Sequence, residues 1–220
     1  NIDHKDISEA DIEQHLREVA AYGFTNLVGC LDSSTVADLL TLTKSRHQQS
    51  VKANGDHTHD DRTETPLVNH LYKEDKAYTD ILVIEPVKQI LMSMLNDPYY
   101  PSIADGLPNY ILGQYTARSS GARRLQLHID SVIPAPGDRT WSAQVVYVLE
   151  DMSLETGSTQ VIPGTHLSGK YTDRTLEPQS LVAHAGDVII WDSRLWHGTN
   201  PNLTTRTRWV LIATVQAWWM

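Results

Sequence analysis

Two stretches far apart in the chain carry the residue types from which a metal site is built. One is Leu125-Gln126-Leu127-His128-Ile129-Asp130; the other is Trp196-His197-Gly198-Thr199. In an extended strand, residues two apart share a face, so His128 and Asp130 are expected to point one way and Leu125, Leu127 and Ile129 the other. Two imidazoles and a carboxylate fill three positions of an octahedron and leave the rest for substrate and O2. That is the donor set of non-haem Fe(II) oxygenases. A His-x-Asp pair is common on surface strands, so its context has to carry the reading.

The context is a Gly186-Asp187 turn, the apolar strand Val188-Ile189-Ile190-Trp191, a polar turn at Asp192-Ser193-Arg194, and then His197. Further on, Arg208 opens the apolar run Trp209-Val210-Leu211-Ile212-Ala213-Thr214-Val215. A guanidinium is a planar fork matched to a carboxylate, which a dicarboxylate co-substrate beside a metal would require. Arg206 alternates onto the same face and is the second candidate for that anchor.

In these blocks the chain resembles the phytanoyl-CoA dioxygenase family of Fe(II)/2-oxoglutarate-dependent oxygenases. The matching residues are His128-Ile129-Asp130, Gly157-Ser158-Thr159-Gln160-Val161-Ile162-Pro163-Gly164-Thr165-His166, Ala185-Gly186-Asp187-Val188-Ile189-Ile190-Trp191-Asp192, His197-Gly198-Thr199 and Arg208. The segment from Ile7 to about Leu42 is similar to the family's opening helices. The resemblance implies a double-stranded β-helix, iron held by His128, Asp130 and His197, and 2-oxoglutarate anchored by Arg208 with Thr199 assisting. It also implies O2 as co-substrate and oxidative decarboxylation of 2-oxoglutarate to succinate and CO2.

The elements that must position these groups follow from the rest of the chain. At 220 residues and 24.7 kDa, one domain with a sizeable core is expected, with a helical part over about 7–95 and a barrel over about 108–217. A formal charge of −9 and a lack of basic clusters longer than Arg123-Arg124 argue against nucleic acid as a partner. No apolar run has the length of a membrane span and the first residues carry no signal-peptide core, so a cytoplasmic protein is expected, as monomer or homodimer. Cys30 is the only cysteine, which rules out an intrachain disulfide; it reads as a small buried residue.

Ser8-Glu9-Ala10-Asp11 has the form of a capping box and predicts a helix from Glu9 to Tyr22, stopped by Gly23. Phe24–Val28 reads as a short strand, and Ser33-Ser34 as the cap of a second helix reaching roughly His47. The polar segment 48–65, with Gly55-Asp56-His57-Thr58-His59-Asp60-Asp61 at its centre, reads as a solvated loop or a lid rather than a second metal site. Pro66–Tyr72 is expected to start a helix, and Ala77–Leu95 to continue helical with a break at Pro86.

Further contacts are assigned by position. Tyr110–Tyr115 is the strand leading to the metal strand, and either Gln114 or Tyr115 meets the co-substrate or substrate, depending on which face turns inward. Arg123 and Arg124 are either solvated strand ends or readers of a substrate anion. Gln144, in the strand Trp141–Leu149, is the choice for a polar contact near the co-substrate; Trp141 is kept as a substrate contact and Pro134–Asp138 as a specificity loop. His166 is read as structural, since the triad is complete without it. The expected reaction is hydroxylation of an unactivated C–H bond in a small molecule, because a carboxylate ligand frees no coordination site for chloride. Desaturation, ring closure or epimerisation at the same centre remain open, as does a cupin-like metalloenzyme that needs no 2-oxoglutarate and hence no Arg208.

Overall fold

The computed structural model describes residues 8–54, 59–60, 65–101, 107–171 and 175–220. The chain opens with α1 (Glu9–Tyr22), β1 (Phe24–Leu27), α2 (Ser33–Asn54), β2 (His59–Asp60) and β3 (Thr65–Asn69). α3 (Lys76–Asp80) and α4 (Glu85–Met94) follow. The remainder is β: β4 (Tyr110–Ser119), β5 (Leu125–His128), β6 (Ser142–Val148), β7 (Thr159–Val161), β8 (Gln179–Ser180), β9 (Val188–Asp192), β10 (His197–Thr199) and β11 (Trp209–Ala217). A seven-stranded sheet in the order β1-β9-β6-β11-β4-β3-β2 faces a four-stranded sheet in the order β5-β10-β7-β8. Every named strand pair is antiparallel. This is the expected double-stranded β-helix with flanking helices. No helix among the described residues is long and apolar enough to cross a membrane.

Strand alternation sorts the large sheet's residues into two cores. Ala143, Val145 and Tyr147 of β6, Val188 and Ile190 of β9, and Leu211, Ala213 and Val215 of β11 pack with Leu39, Val87, Ile90 and Leu91 of the helices. The intervening Val146, Val148, Ile189, Trp191 and Val210 turn inward, against Val161 of the small sheet. With both faces covered, the strands read as continuous apolar runs rather than alternating ones. Each fully buried side chain of this size contributes about 1.5–3 kcal/mol.

Several local expectations are met and others corrected. Ser8 and Asp11 form the capping box, with Ser8 Oγ accepting the Asp11 N–H at 3.2 Å and Asp11 accepting the Ser8 N–H at 3.0 Å. The cap of α2 is Asp32 rather than the serines: its carboxylate accepts the N–H groups of Ser34 and Thr35 and both hydroxyls. α2 runs past His47 to Asn54, through residues read as loop. Of the segment read as a loop or lid, residues 55–58 and 61–64 lie outside the described residues, and His59–Asp60 form β2. Thr65–Asn69 is a strand, not a helix start, because it pairs with β4. The helical stretch 77–95 breaks at Ile84, which is extended, and Pro86 sits in the first turn of α4, where its missing N–H costs nothing. β4 extends beyond the expected Tyr110–Tyr115 to Ser119.

Candidate metal centre

The site is built where the small sheet meets the loop after β5. His128 and His197 are direct partners across β5 and β10, with ring centroids 4.3 Å apart. β5 ends at His128, so the expectation that strand alternation delivers Asp130 is corrected. Asp130 lies in the following turn, where its N–H and that of Ser131 donate to Ser193 O at 2.9 and 3.0 Å. The turn brings the carboxylate back to the histidines: Oδ2 lies 3.2 Å from His197 Nε2, and Oδ1 3.6 Å from His128 Nε2. Leu125, Leu127 and Ile129 are only half-buried, since β5 is an edge strand.

Gly198 explains why the two histidine strands can sit so close. A Cβ there would stand 2.6 Å from Leu125 O, nearer than side-chain carbons ever approach.

The protonation pattern calls for a cation. His128 Nδ1 meets Gln126 O at 2.8 Å and His197 Nδ1 meets Leu195 O at 2.9 Å. A carbonyl only accepts, so both Nδ1 atoms carry the proton and both Nε2 lone pairs face Asp130. Three donor atoms of this kind lie within 4.8 Å of one another. Without a shared cation they repel. Burial disfavours charge on His197, yet the Asp130 carboxylate outweighs it and raises the His197 pKa. Burial likewise works against the Asp130 anion, but the attraction of the two histidines, His197 first, holds its carboxyl below the ordinary range. A divalent cation would satisfy all three donors at once, and the donor set suits Fe(II).

The triad opens on a cavity of about 260 Å³ between the sheets. Its lining includes Gln114, Thr116 and Arg118 of β4, Gln144 and Val146 of β6, Trp191, Thr159, Thr199, and Val210, Ile212 and Thr214 of β11. Arg208 lies in its wall, 4% exposed. Its Nη2 donates to Gly157 O, and its Nε has no partner among the described residues. Burial, then the nearby Arg118, push the guanidinium down to about 10, still charged at neutral pH. A buried cation with an unused donor matches a carboxylate.

The other expected residues separate cleanly. Thr199, Gln144 and Gln114 all line the cavity, and Gln144 Oε1 accepts from Thr214 Oγ1 at 2.8 Å. Tyr115 points the opposite way, fully buried against Tyr78 in the helix-side core, which resolves the phase of β4. Arg123 reaches the cavity, while Arg124 is exposed and outside the lining. Trp141 also lies outside it, beneath the Arg194 guanidinium at 5.5 Å. Arg206 is exposed, precedes β11 and lies outside the lining, whereas Arg208 lies in the cavity wall. His166 is buried near Gly23, away from the lining.

Sequence reasoning passed over Thr116, Arg118, Thr159 and Trp191. The first two follow from Gln114 by strand alternation once its phase is known.

These features define an oxygenase-type double-stranded β-helix with a two-histidine, one-carboxylate centre. Residues 19–210 match the model of the phytanoyl-CoA dioxygenase (PhyH) family, and the chain belongs to that family. Among curated relatives, dioxygenase af480 of Aspergillus fumigatus is 28% identical over 206 residues, 88% of this chain and 62% of its own. Dioxygenase trt7 of Aspergillus terreus is 29% identical over 148 residues, 60% of this chain and 51% of its own. The chain therefore spans between half and two thirds of these relatives' lengths. Among solved structures, HygX from Streptomyces hygroscopicus, with nickel, 2-oxoglutarate and hygromycin B bound, superimposes with a TM-score of 0.72 at 14% identity, over 97% of this chain and 89% of that one. EctD from S. alaskensis, with 2-oxoglutarate and 5-hydroxyectoine, gives 0.73 at 15% identity, over 96% and 76%. The epimerase SnoN of nogalamycin biosynthesis gives 0.72 at 16%, over 95% and 84%.

Proposed function

We infer that this chain is a non-haem Fe(II)- and 2-oxoglutarate-dependent dioxygenase that hydroxylates an unactivated C–H bond of a small-molecule metabolite or natural-product intermediate, with release of succinate and CO2. The observation that carries the reading is the convergence of three lone-pair atoms at one end of a cavity whose wall holds a buried, under-partnered guanidinium. His128, Asp130 and His197 would hold the metal, and Arg208 with Thr199 the distal carboxylate of 2-oxoglutarate. Family membership and the curated dioxygenase relatives support the same reading.

Iron and 2-oxoglutarate, when bound, supply O2 activation coupled to decarboxylation of the 2-oxoacid. The protein's own residues do the rest. Gln126 O and Leu195 O keep the Nδ1 protons in place, so both rings turn Nε2 to the metal position. Asp130 brings the anion. Arg208 sets the orientation of the co-substrate through its fork, and Val146, Val210 and Ile212 give the cavity an apolar wall. With the Asp130 carboxylate as a ligand, no position would be freed for chloride, which favours hydroxylation over halogenation. The hygromycin B and 5-hydroxyectoine bound by structurally similar proteins support a small-molecule substrate.

The test is anaerobic addition of Fe(II) and 2-oxoglutarate to metal-free protein. A weak visible charge-transfer band of the chelated 2-oxoacid is expected, and His197→Ala is expected to lose it. A folded wild-type protein that shows no band would overturn the assignment in favour of a metalloenzyme that does not use 2-oxoglutarate. With the band established, metabolites are screened by succinate release.

A further inference from the structure

One buried guanidinium in the turn that leads to His197 has no part in the assignments above. Arg194 lies in the turn between β9 and β10, three residues before His197, and its side chain is 2% exposed. It grips Asp192 with both arms, Nε to Oδ1 at 3.0 Å and Nη2 to Oδ2 at 2.7 Å. The remaining arm leaves the turn altogether: Nη1 donates to Gly137 O at 2.8 Å and to Ala135 O at 3.3 Å. Its Cζ stands over the Trp141 ring, 5.5 Å from the centroid, and Thr140 Oγ1 donates to Asp192 Oδ2 at 2.7 Å.

Those carbonyls belong to the loop that leaves Asp130. The loop is therefore tied to the β9–β10 turn at two places. Near Asp130 the tie is the pair of N–H groups on Ser193 O; farther along it is Arg194. The same turn delivers His197.

We propose that Arg194 is a positioning residue of the metal centre: it fastens the loop carrying Asp130 to the turn carrying His197 and so sets the distance between the two ligands. The proposal rests on reading the triad as a metal site. Two physical points favour geometry over bulk stability as its role. A buried ion pair adds little net stability compared with apolar residues of the same volume, because both charges must be desolvated. The hydrogen bonds also span two segments, which needs a fork with donors in several directions; a lysine ammonium satisfies Asp192 but cannot reach both carbonyls at once.

The experiment uses Co(II) alone as the probe, titrated into metal-free full chain under anaerobic conditions and read by its d–d absorption, with Tm recorded for each protein. Arg194→Lys and Asp192→Asn are compared with wild type, with His197→Ala, and with Ile90→Val as a mildly destabilised reference in the helix-side core. Both Arg194→Lys and Asp192→Asn are expected to weaken Co(II) binding by about ten- to a hundredfold and to alter the band shape. Ile90→Val is expected to lower Tm with the Co(II) affinity unchanged. Affinity and band shape within twofold of wild type in either variant, whatever happens to Tm, overturns the proposal. If Arg194→Lys does not fold, Asp192→Asn decides, since it keeps the volume and one acceptor oxygen. Equal Co(II) binding by wild type and His197→Ala would bring down the triad reading itself, and the role of Arg194 with it.

Discussion

At the scale of single residues, Arg208 is the most informative side chain for the co-substrate. Arg208→Lys keeps the charge and loses the fork, so the 2-oxoglutarate requirement should rise by roughly 10- to 100-fold, equivalent to about 1.4–2.8 kcal/mol. Titration of the charge-transfer band measures this directly, and an unchanged affinity would mean that the carboxylate binds elsewhere. Asp130→Ala should abolish turnover while the circular dichroism stays native, because Asp130 lies in a loop and contributes no core contact. A fully active variant would refute the triad. The triad was legible in the sequence, though partly for the wrong reason. Alternation along a strand pairs His128 with Asp130, whereas the structure ends the strand at His128 and returns Asp130 through a turn held by Ser193. Arg194 was illegible, since its role depends on carbonyls far earlier in the chain.

At the scale of elements, two short features can be tested. Gly198→Ala forces β10 away from β5, because the new methyl would meet Leu125 O. A drop in Tm should be accompanied by weakened metal binding, as the two histidines are partners across that pair. A variant with native metal affinity would show that the register of β5 does not matter to the site. Asp32 caps α2, and Asp32→Ala should cost about 1 kcal/mol in denaturant unfolding. Its carboxyl is held below the ordinary carboxylate range chiefly by the Ser34 and Thr35 groups it accepts from. A lowered folded-state pKa stabilises above the unfolded value of about 3.9 and is lost as pH falls below it. The difference between wild type and Asp32→Ala should accordingly be constant near neutrality and shrink below about pH 4; a gap that survives full protonation would argue against capping by the anion.

Which elements were legible follows from where their information lies. The Ser8–Asp11 box and Gly23 mark α1 locally, so its limits agree with expectation. β3 carries no such signal: Pro66-Leu67-Val68-Asn69 becomes a strand only because β4, far along the chain, offers it an edge. The phase of β4, and with it the choice between Gln114 and Tyr115, depends on which core lies on which side.

At the scale of the whole molecule, the two cores divide the labour. The helix-side core supports the large sheet from outside, and the inner core shares its space with the cavity. Ile90→Ala should therefore lower stability by about 2–5 kcal/mol with metal affinity retained. Parallel loss of affinity would mean that the two cores are not independent.

The proposed metal ligands hang from the small sheet and its adjoining loop, while Arg208 stands just before β11 of the large one. A molecule held at one end by the triad and at the other by Arg208 is thus a rivet through both layers, and loading the site should slow amide exchange in β5, β10 and β11 together. One molecule bound there would stitch the two layers together along the line from the triad to Arg208, a fastening that neither layer supplies on its own.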